Sequence, residues 1–151
     1  MNSILNQQIC ALLEESDMIA ALSNVSAAIK MSYANTNWAG FYLVKDGELV
    51  LGPFQGKPAC TRITFDKGVC GKCYRTKEVQ RIDDVLAFPG HIACDSDSRS
   101  ELCVPIIVND VCIGEIDIDA PIASRFSEKE EKEMLQASWD IAQACLQHHW
   151  F

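Results

Sequence analysis

Apolar residues recur along this chain with more than one rhythm. Over residues 4–13, Leu5, Ile9, Leu12 and Leu13 fall on one helical stripe, and after the Ser16-Asp17 interruption Met18, Leu22, Val25 and Ile29 make a second. From Trp38 the period changes. Residues 38–44 and 48–51, separated by Asp46-Gly47, read as a β-hairpin. Weaker strand patterns at 60–65 and 78–82 flank Gly68-Val-Cys-Gly71, which introduces a short helix. Residues 86–100 carry Pro89-Gly90 and a polar run from Asp95 to Ser100, the composition of a long irregular loop of the kind that often carries function. A second hairpin, 102–108 with 111–119, turns at Asn109-Asp110, and Pro105 marks an edge position or a bulge. Ser127-Glu-Lys-Glu130 is a capping box, followed by a stripe of Met134, Leu135, Ile141, Ala142 and Cys145. Helices at both ends around a mostly antiparallel sheet predict an α+β fold, and the length fits one domain over residues 1–151.

Composition narrows the setting. Apolar residues make up 48% and charged residues 23% of the chain, enough to build a core without disulfide staples. The start, Met1-Asn2-Ser3-Ile4, lacks the basic region and apolar run of a signal peptide, and no stretch approaches the roughly 18 apolar residues of a membrane span. A cytoplasmic protein is expected, and its eight cysteines read as reduced thiols rather than as a secreted scaffold. Thirteen Lys and Arg against 21 Asp and Glu give a net charge of −8, which disfavours nucleic acid and anionic membrane surfaces. A cationic or zwitterionic small ligand is more compatible.

Reactive thiols are the first candidate chemistry. Cys94, in His91-Ile-Ala-Cys94-Asp95, lies in the long loop, where a small molecule can reach it and where His91 could supply a cationic neighbour to its thiolate. The ordinary fate of a free cysteine is burial as a small apolar residue. Cys60 and Cys70 shift that balance, because both lie beside loop signals and could act as resolving thiols. Cys70-Gly-Lys-Cys73 has the C-x-x-C spacing, but it follows no thioredoxin-like opening strand and no second pair completes a zinc site. Cys10, Cys103, Cys112 and Cys145 sit in helix or strand patterns, where packing explains each.

Carboxylates are the second. Asp117 and Asp119 alternate on one strand and share a face, although an isolated D-x-D is more often a solvated strand end. Glu101 starts the partner strand. A strict two-residue turn at Asn109-Asp110 would set Leu102 opposite Asp117, whereas a three-residue loop or a bulge near Pro105 would bring Glu101 into line. Converging acids would repel and raise at least one pKa, giving a proton donor or a site for an ammonium group. Trp38 and Tyr42 share a face of the first strand and either wall a pocket or pack in the core.

Asn37-Trp-x-Gly-Phe-Tyr42, Leu51-Gly-Pro-Phe-Gln-Gly-Lys57, Ala59-Cys60, Gly68-Val-Cys-Gly71, Pro89-Gly-His-Ile-Ala-Cys-Asp95, Ser100-Glu101 and Asp117-Ile-Asp119 together resemble the free methionine-(R)-sulfoxide reductases, a family built on the GAF domain. The resemblance spans residues 16–147. It implies a central antiparallel sheet of about six strands with the N- and C-terminal helices on one side, in a homodimer. It also implies Cys94 as catalytic cysteine, Cys60 as its usual resolving partner and Cys70 as a third thiol in disulfide exchange. Glu101, Asp117, Asp119 and Asp83 match substrate-binding acids, and Trp38 and Tyr42 the aromatic wall around the substrate methyl group. The implied reaction needs no metal or organic cofactor. Thiolate attack on the sulfoxide leaves a sulfenic acid, Cys60 condenses with it, and thioredoxin restores both thiols. Cys73 departs from the family pattern and offers Cys70 a further partner. A non-catalytic GAF sensor and a Cys94–His91 hydrolase are rival readings, the second without an orienting residue.

Overall fold

The chain runs α1 (Ile4–Leu12), α2 (Met18–Ser32), β1 (Trp38–Lys45), β2 (Glu48–Gly56), β3 (Arg62–Ile63), α3 (Gly68–Thr76), β4 (Gln80–Ile82), a single 3₁₀ turn (Val85–Ala87), β5 (Ser100–Val108), β6 (Val111–Ala120) and α4 (Glu128–His148). This computed structural model describes residues 2–91 and 94–151. Polar caps start the terminal helices. The Ser3 hydroxyl accepts from the Asn6 N–H at 3.2 Å, and the Asp17 carboxylate from the Ala20 N–H at 2.9 Å. Before α4 the expected box closes: Ser127 Oγ accepts from Lys129, and Glu130 Oε1 accepts from the Ser127 N–H at 2.8 Å. Each satisfies donors that a helix's first turn leaves without partners.

The six strands form one antiparallel sheet in the order β3-β2-β1-β6-β5-β4. Both predicted hairpin turns are present. Asp46 and Gly47 have φ of 51° and 80°, and Asn109 and Asp110 have 51° and 66°, the paired left-handed residues that match strand twist in a two-residue turn. The second turn sets Val108 opposite Val111 and Ile107 opposite Cys112. A bulge next to Pro105 then takes up Ile113, so that Ile106 meets Gly114, Cys103 meets Asp117 and Glu101 meets Asp119. Without it Leu102 would oppose Asp117. Pro105 is tolerated because β4 pairs with β5 only from Glu101 to Cys103, which leaves Pro105 on a locally free edge.

Alternation then separates two faces. Ala39, Phe41 and Leu43 of β1, Leu102, Val104 and Ile106 of β5, and Ile116 and Ile118 of β6 pack with α1, α2 and α4 into the main core. Trp38, Tyr42 and Cys103 face the other way, into a second cluster with Val69, Cys70 and Cys73 of α3. The N- and C-terminal helices therefore share one side, and α3 covers the opposite one.

Three local expectations change. The strand pattern at 60–65 shrinks to Arg62–Ile63, because β3 pairs with β2 only at Leu49 and Val50. Leu135 is 43% exposed, since one residue on from buried Met134 is a turn of about 100° away from the sheet. Cys10, expected to pack, is exposed on α1 with its thiol directed to Asp140. No helix among the described residues is long and apolar enough to cross a membrane.

Candidate active site

Cys60 and Cys94 are joined by a disulfide, with their Cα atoms 5.3 Å apart, so these two are not the reduced thiols that composition suggests. The other six cysteines are free. Side chains of β1 and its approach hold both halves of the bridge. Trp38 Nε1 donates to the Lys57 carbonyl at 3.2 Å and the Tyr42 hydroxyl to the Cys60 carbonyl at 2.9 Å, anchoring the segment after β2. Asn37 Nδ2 donates to Asp95 Oδ2 at 3.0 Å and to Ser98 Oγ at 3.1 Å, anchoring the loop around Cys94. A Lys57–Asp97 ion pair links the two segments directly. Gly56 is fixed by this packing: its φ is 144°, and a Cβ there would lie 2.5 Å from the Trp38 ring.

A cavity opens beside the disulfide. Trp38, Tyr42, Cys70, Cys94, Glu101, Asp117 and Asp119 line it, as do His91 and the Lys67–Cys70 start of α3. No side chain caps that end of α3. Trp38 lies between Tyr42 and Phe54, with ring centroids 5.9 and 5.2 Å away and near-parallel planes, so the aromatic wall is continuous.

The acids sit on neighbouring strands, where the bulge brings them to one face. Glu101 and Asp117 are buried; Asp119 keeps some residue exposure although its carboxyl end is enclosed. Burial, then the charges of Asp117 and Asp119, pushes Glu101 well above the usual carboxylate range. Burial and the Asp117 charge do the same to Asp119. Asp117 is raised by burial, against hydrogen bonds from Glu101 and Cys70 that oppose the shift. Among the described residues no lysine or arginine forms an ion pair with any of the three. The cluster therefore holds its protons to higher pH than free carboxyl groups do, which lets it act as an acid as well as an anion. Burial moves the His91 imidazole down, so it brings no positive charge to Cys94 near neutrality.

Asp83 does not join this cluster. It is exposed at the turn after β4, its carbonyl accepting from the Ser124 N–H, and its side chain lines no part of the cavity. Strand pairing ends at Ile82, so nothing turns the next side chain inward. Sequence reasoning also passed over Glu115, which is wholly buried and shares the alternation of Asp117 and Asp119, a signal available two residues upstream. Cys103, read as packing, accompanies it: its Sγ lies 3.2 Å from Glu115 Oε1 and 3.9 Å from Cys70 Sγ. Two sets could hold a metal ion by proximity, Cys70–Glu101–Asp117 and Cys70–Cys103–Glu115, with donor atoms in each within 4.8 Å of one another.

The GAF domain model matches residues 17–145. Protein YtsP of Bacillus subtilis (strain 168) is 50% identical over 147 residues, 95% of this chain and 90% of that protein. The free methionine-R-sulfoxide reductase of Escherichia coli (strain K12) is 47% identical over 133 residues, 87% of this chain and 81% of that one. The X-ray structure of free methionine-R-sulfoxide reductase from Neisseria meningitidis in complex with its substrate matches with a TM-score of 0.93 at 37% identity, covering 97% of this chain and 89% of that chain. With the acid-lined cavity, the aromatic wall and the two bridged cysteines on one such fold, this chain belongs to the free methionine-R-sulfoxide reductase family of GAF domains.

Proposed function

We propose that the chain reduces free L-methionine-(R)-sulfoxide to L-methionine, with Cys94 as nucleophile, Cys60 as first resolving thiol and Cys70 as a further one. The observation that carries this reading is the Cys60–Cys94 bridge at the edge of a cavity floored by Glu101, Asp117 and Asp119. The Cys94 thiolate attacks the sulfoxide sulfur while a protonated carboxyl of the cluster gives its proton to the oxygen. Oxygen passes to Cys94 as a sulfenic acid and methionine leaves. The Cys60 thiol then displaces that oxygen as water, forming the disulfide, and a thioredoxin dithiol returns two electrons by exchange.

The cavity suits the free amino acid. Its α-ammonium matches the acid cluster, which among the described residues has no basic side chain paired with it. The uncapped start of α3, with Lys67, offers the opposite complement to the α-carboxylate. Trp38 and Tyr42 line the cavity where the methyl sulfoxide end is received. A peptide-bound residue lacks the ammonium and would leave buried carboxylates unpartnered, so the free form is preferred. The reading includes a cytoplasmic homodimer that needs no metal or organic cofactor for turnover.

The test is a thioredoxin-coupled assay with the (R) epimer, the (S) epimer and an N-acetylated analogue. Only the first is turned over, Cys94→Ser is inactive, and Cys60→Ser stops after one turnover unless Cys70 replaces it. Wild-type rates from Cys94→Ser would overturn the reading, and binding without turnover would place the chain with ligand-sensing GAF domains.

A further inference from the structure

The proposed turnover has no use for Cys73, Cys103 or Glu115, yet the fold brings them together beneath the cavity. Cys103 comes from β5, Glu115 from β6, and Cys70 and Cys73 from successive turns of α3. At three residues' separation the two α3 thiols lie on one helix face. The donor atoms of Cys70, Cys103 and Glu115 fall within 4.8 Å of one another. Cys73 is close enough that both Cys103 and Glu115 bear on its ionisation. The C-x-x-C spacing that lacked a second pair in the sequence thus acquires a thiol and a carboxylate from the sheet.

Two further observations separate this cluster from ordinary packing. Cys73, Cys103 and Glu115 are 0% exposed and Cys70 is 5% exposed, and Glu115 Oε2 has no hydrogen-bond partner among the described residues. A buried carboxylate oxygen in that state costs free energy until a donor or a cation meets it. The spacing also fits an ion. A tetrahedral zinc with thiolates at about 2.3 Å separates its sulfurs by about 3.8 Å, and a carboxylate oxygen on the same ion lies about 3.5 Å from each sulfur. Here Cys70 Sγ and Cys103 Sγ are 3.9 Å apart, and Cys103 Sγ is 3.2 Å from Glu115 Oε1.

We propose that Cys70, Cys73, Cys103 and Glu115 form a buried site for a thiophilic d¹⁰ divalent cation, with zinc as its biological example. Three soft sulfurs select such an ion over magnesium or calcium. Each thiol that ligates loses one proton to solvent, so affinity rises with pH. Occupancy withdraws Cys70 from disulfide exchange and leaves the Cys60–Cys94 pair alone to cycle.

The test uses the full chain with the Cys60–Cys94 disulfide intact, so that neither of those sulfurs competes. Cadmium serves as spectroscopic probe, and zinc is then measured by competition with a chromophoric chelator. One cadmium per chain is expected, with an ultraviolet thiolate-to-cadmium band. Cys73→Ala and Cys103→Ala each remove about a third of the band, as expected for three thiolates. Glu115→Gln, nearly the same shape, weakens binding by about tenfold or more, and Cys10→Ser changes nothing. Absence of stoichiometric uptake by wild type overturns the proposal. So does unchanged affinity in Glu115→Gln and Cys103→Ala, with circular dichroism confirming that both are folded. No turnover is measured, so the outcome is independent of the reductase reading.

Discussion

The two faces of this sheet are made by the same strands and solve opposite problems. Toward α1, α2 and α4, Phe41, Leu102, Val104, Ile116 and Ile118 present hydrocarbon, and the gain grows with the area withdrawn from water. Toward α3, the intervening positions present Glu101, Cys103, Glu115 and Asp117, buried without a basic partner among the described residues. One face stabilises the domain. The other spends part of that stability to hold carboxyl groups outside their ordinary titration range, where they can hold a cation or deliver a proton.

Exchanging the rules of the two faces at adjacent residues should break the contrast most sharply. Ile118→Asp places an unpaired charge among the packed side chains of the helix-facing core and is expected to cost more than about 4 kcal/mol, enough to abolish cooperative unfolding in a urea titration. Asp117→Asn, one position away, leaves the fold intact by circular dichroism. It lowers turnover of free methionine-(R)-sulfoxide by about a hundredfold, the lower range for removing a general acid or its close partner. An Asp117→Asn variant with unchanged kcat and KM would show that the acid face is only structural.

Glu115→Gln probes the cost of the polar face. Burial holds the Glu115 pKa well above its ordinary value of 4.5, so the folded chain binds this proton more tightly than the unfolded chain does. That contribution to stability is complete below the unfolded pKa and is lost as pH rises toward the folded one. Glu115→Gln removes the loss. Its stability to urea should equal wild type at about pH 3.5, below the unfolded pKa, and exceed it at pH 8 by about 1 kcal/mol or more, since each pKa unit is worth about 1.4 kcal/mol. The smallest effect belongs to Leu135→Ser. An exposed position on α4 should change stability by no more than about 0.5 kcal/mol, against 2–5 kcal/mol, roughly, for Met134→Ala beside it.

Much of this architecture was legible locally. The stripes of α1, α2 and α4, the Ser127–Glu130 box and the Asp46-Gly47 and Asn109-Asp110 turns rest on interactions within a few residues of one another, so the chain states them directly. Alternation likewise put Asp117 and Asp119 on one face, and the same rule would have added Glu115. Asp83 was implied by the resemblance alone, and its side chain stays outside the cavity because the pairing of β4 ends one residue earlier, at Ile82. Cys103 looked like packing because nothing near it in sequence signals the thiols of α3.

The sequence by itself determined the helices, the hairpins, the acidic balance and, through its ordered motifs, the family. Those properties depend on neighbours in the chain. Which groups meet was decided only in three dimensions. The Cys60–Cys94 pair closes over 34 residues of separation, held by Trp38, Tyr42 and Asn37 from a third segment. Glu101 reaches Asp119 only because the bulge at Ile113 shifts the β5–β6 register by one. A one-residue shift costs little in local backbone energy and yet transfers every side chain beyond it to the other face, so the packing of both faces, rather than any short stretch of sequence, settles it.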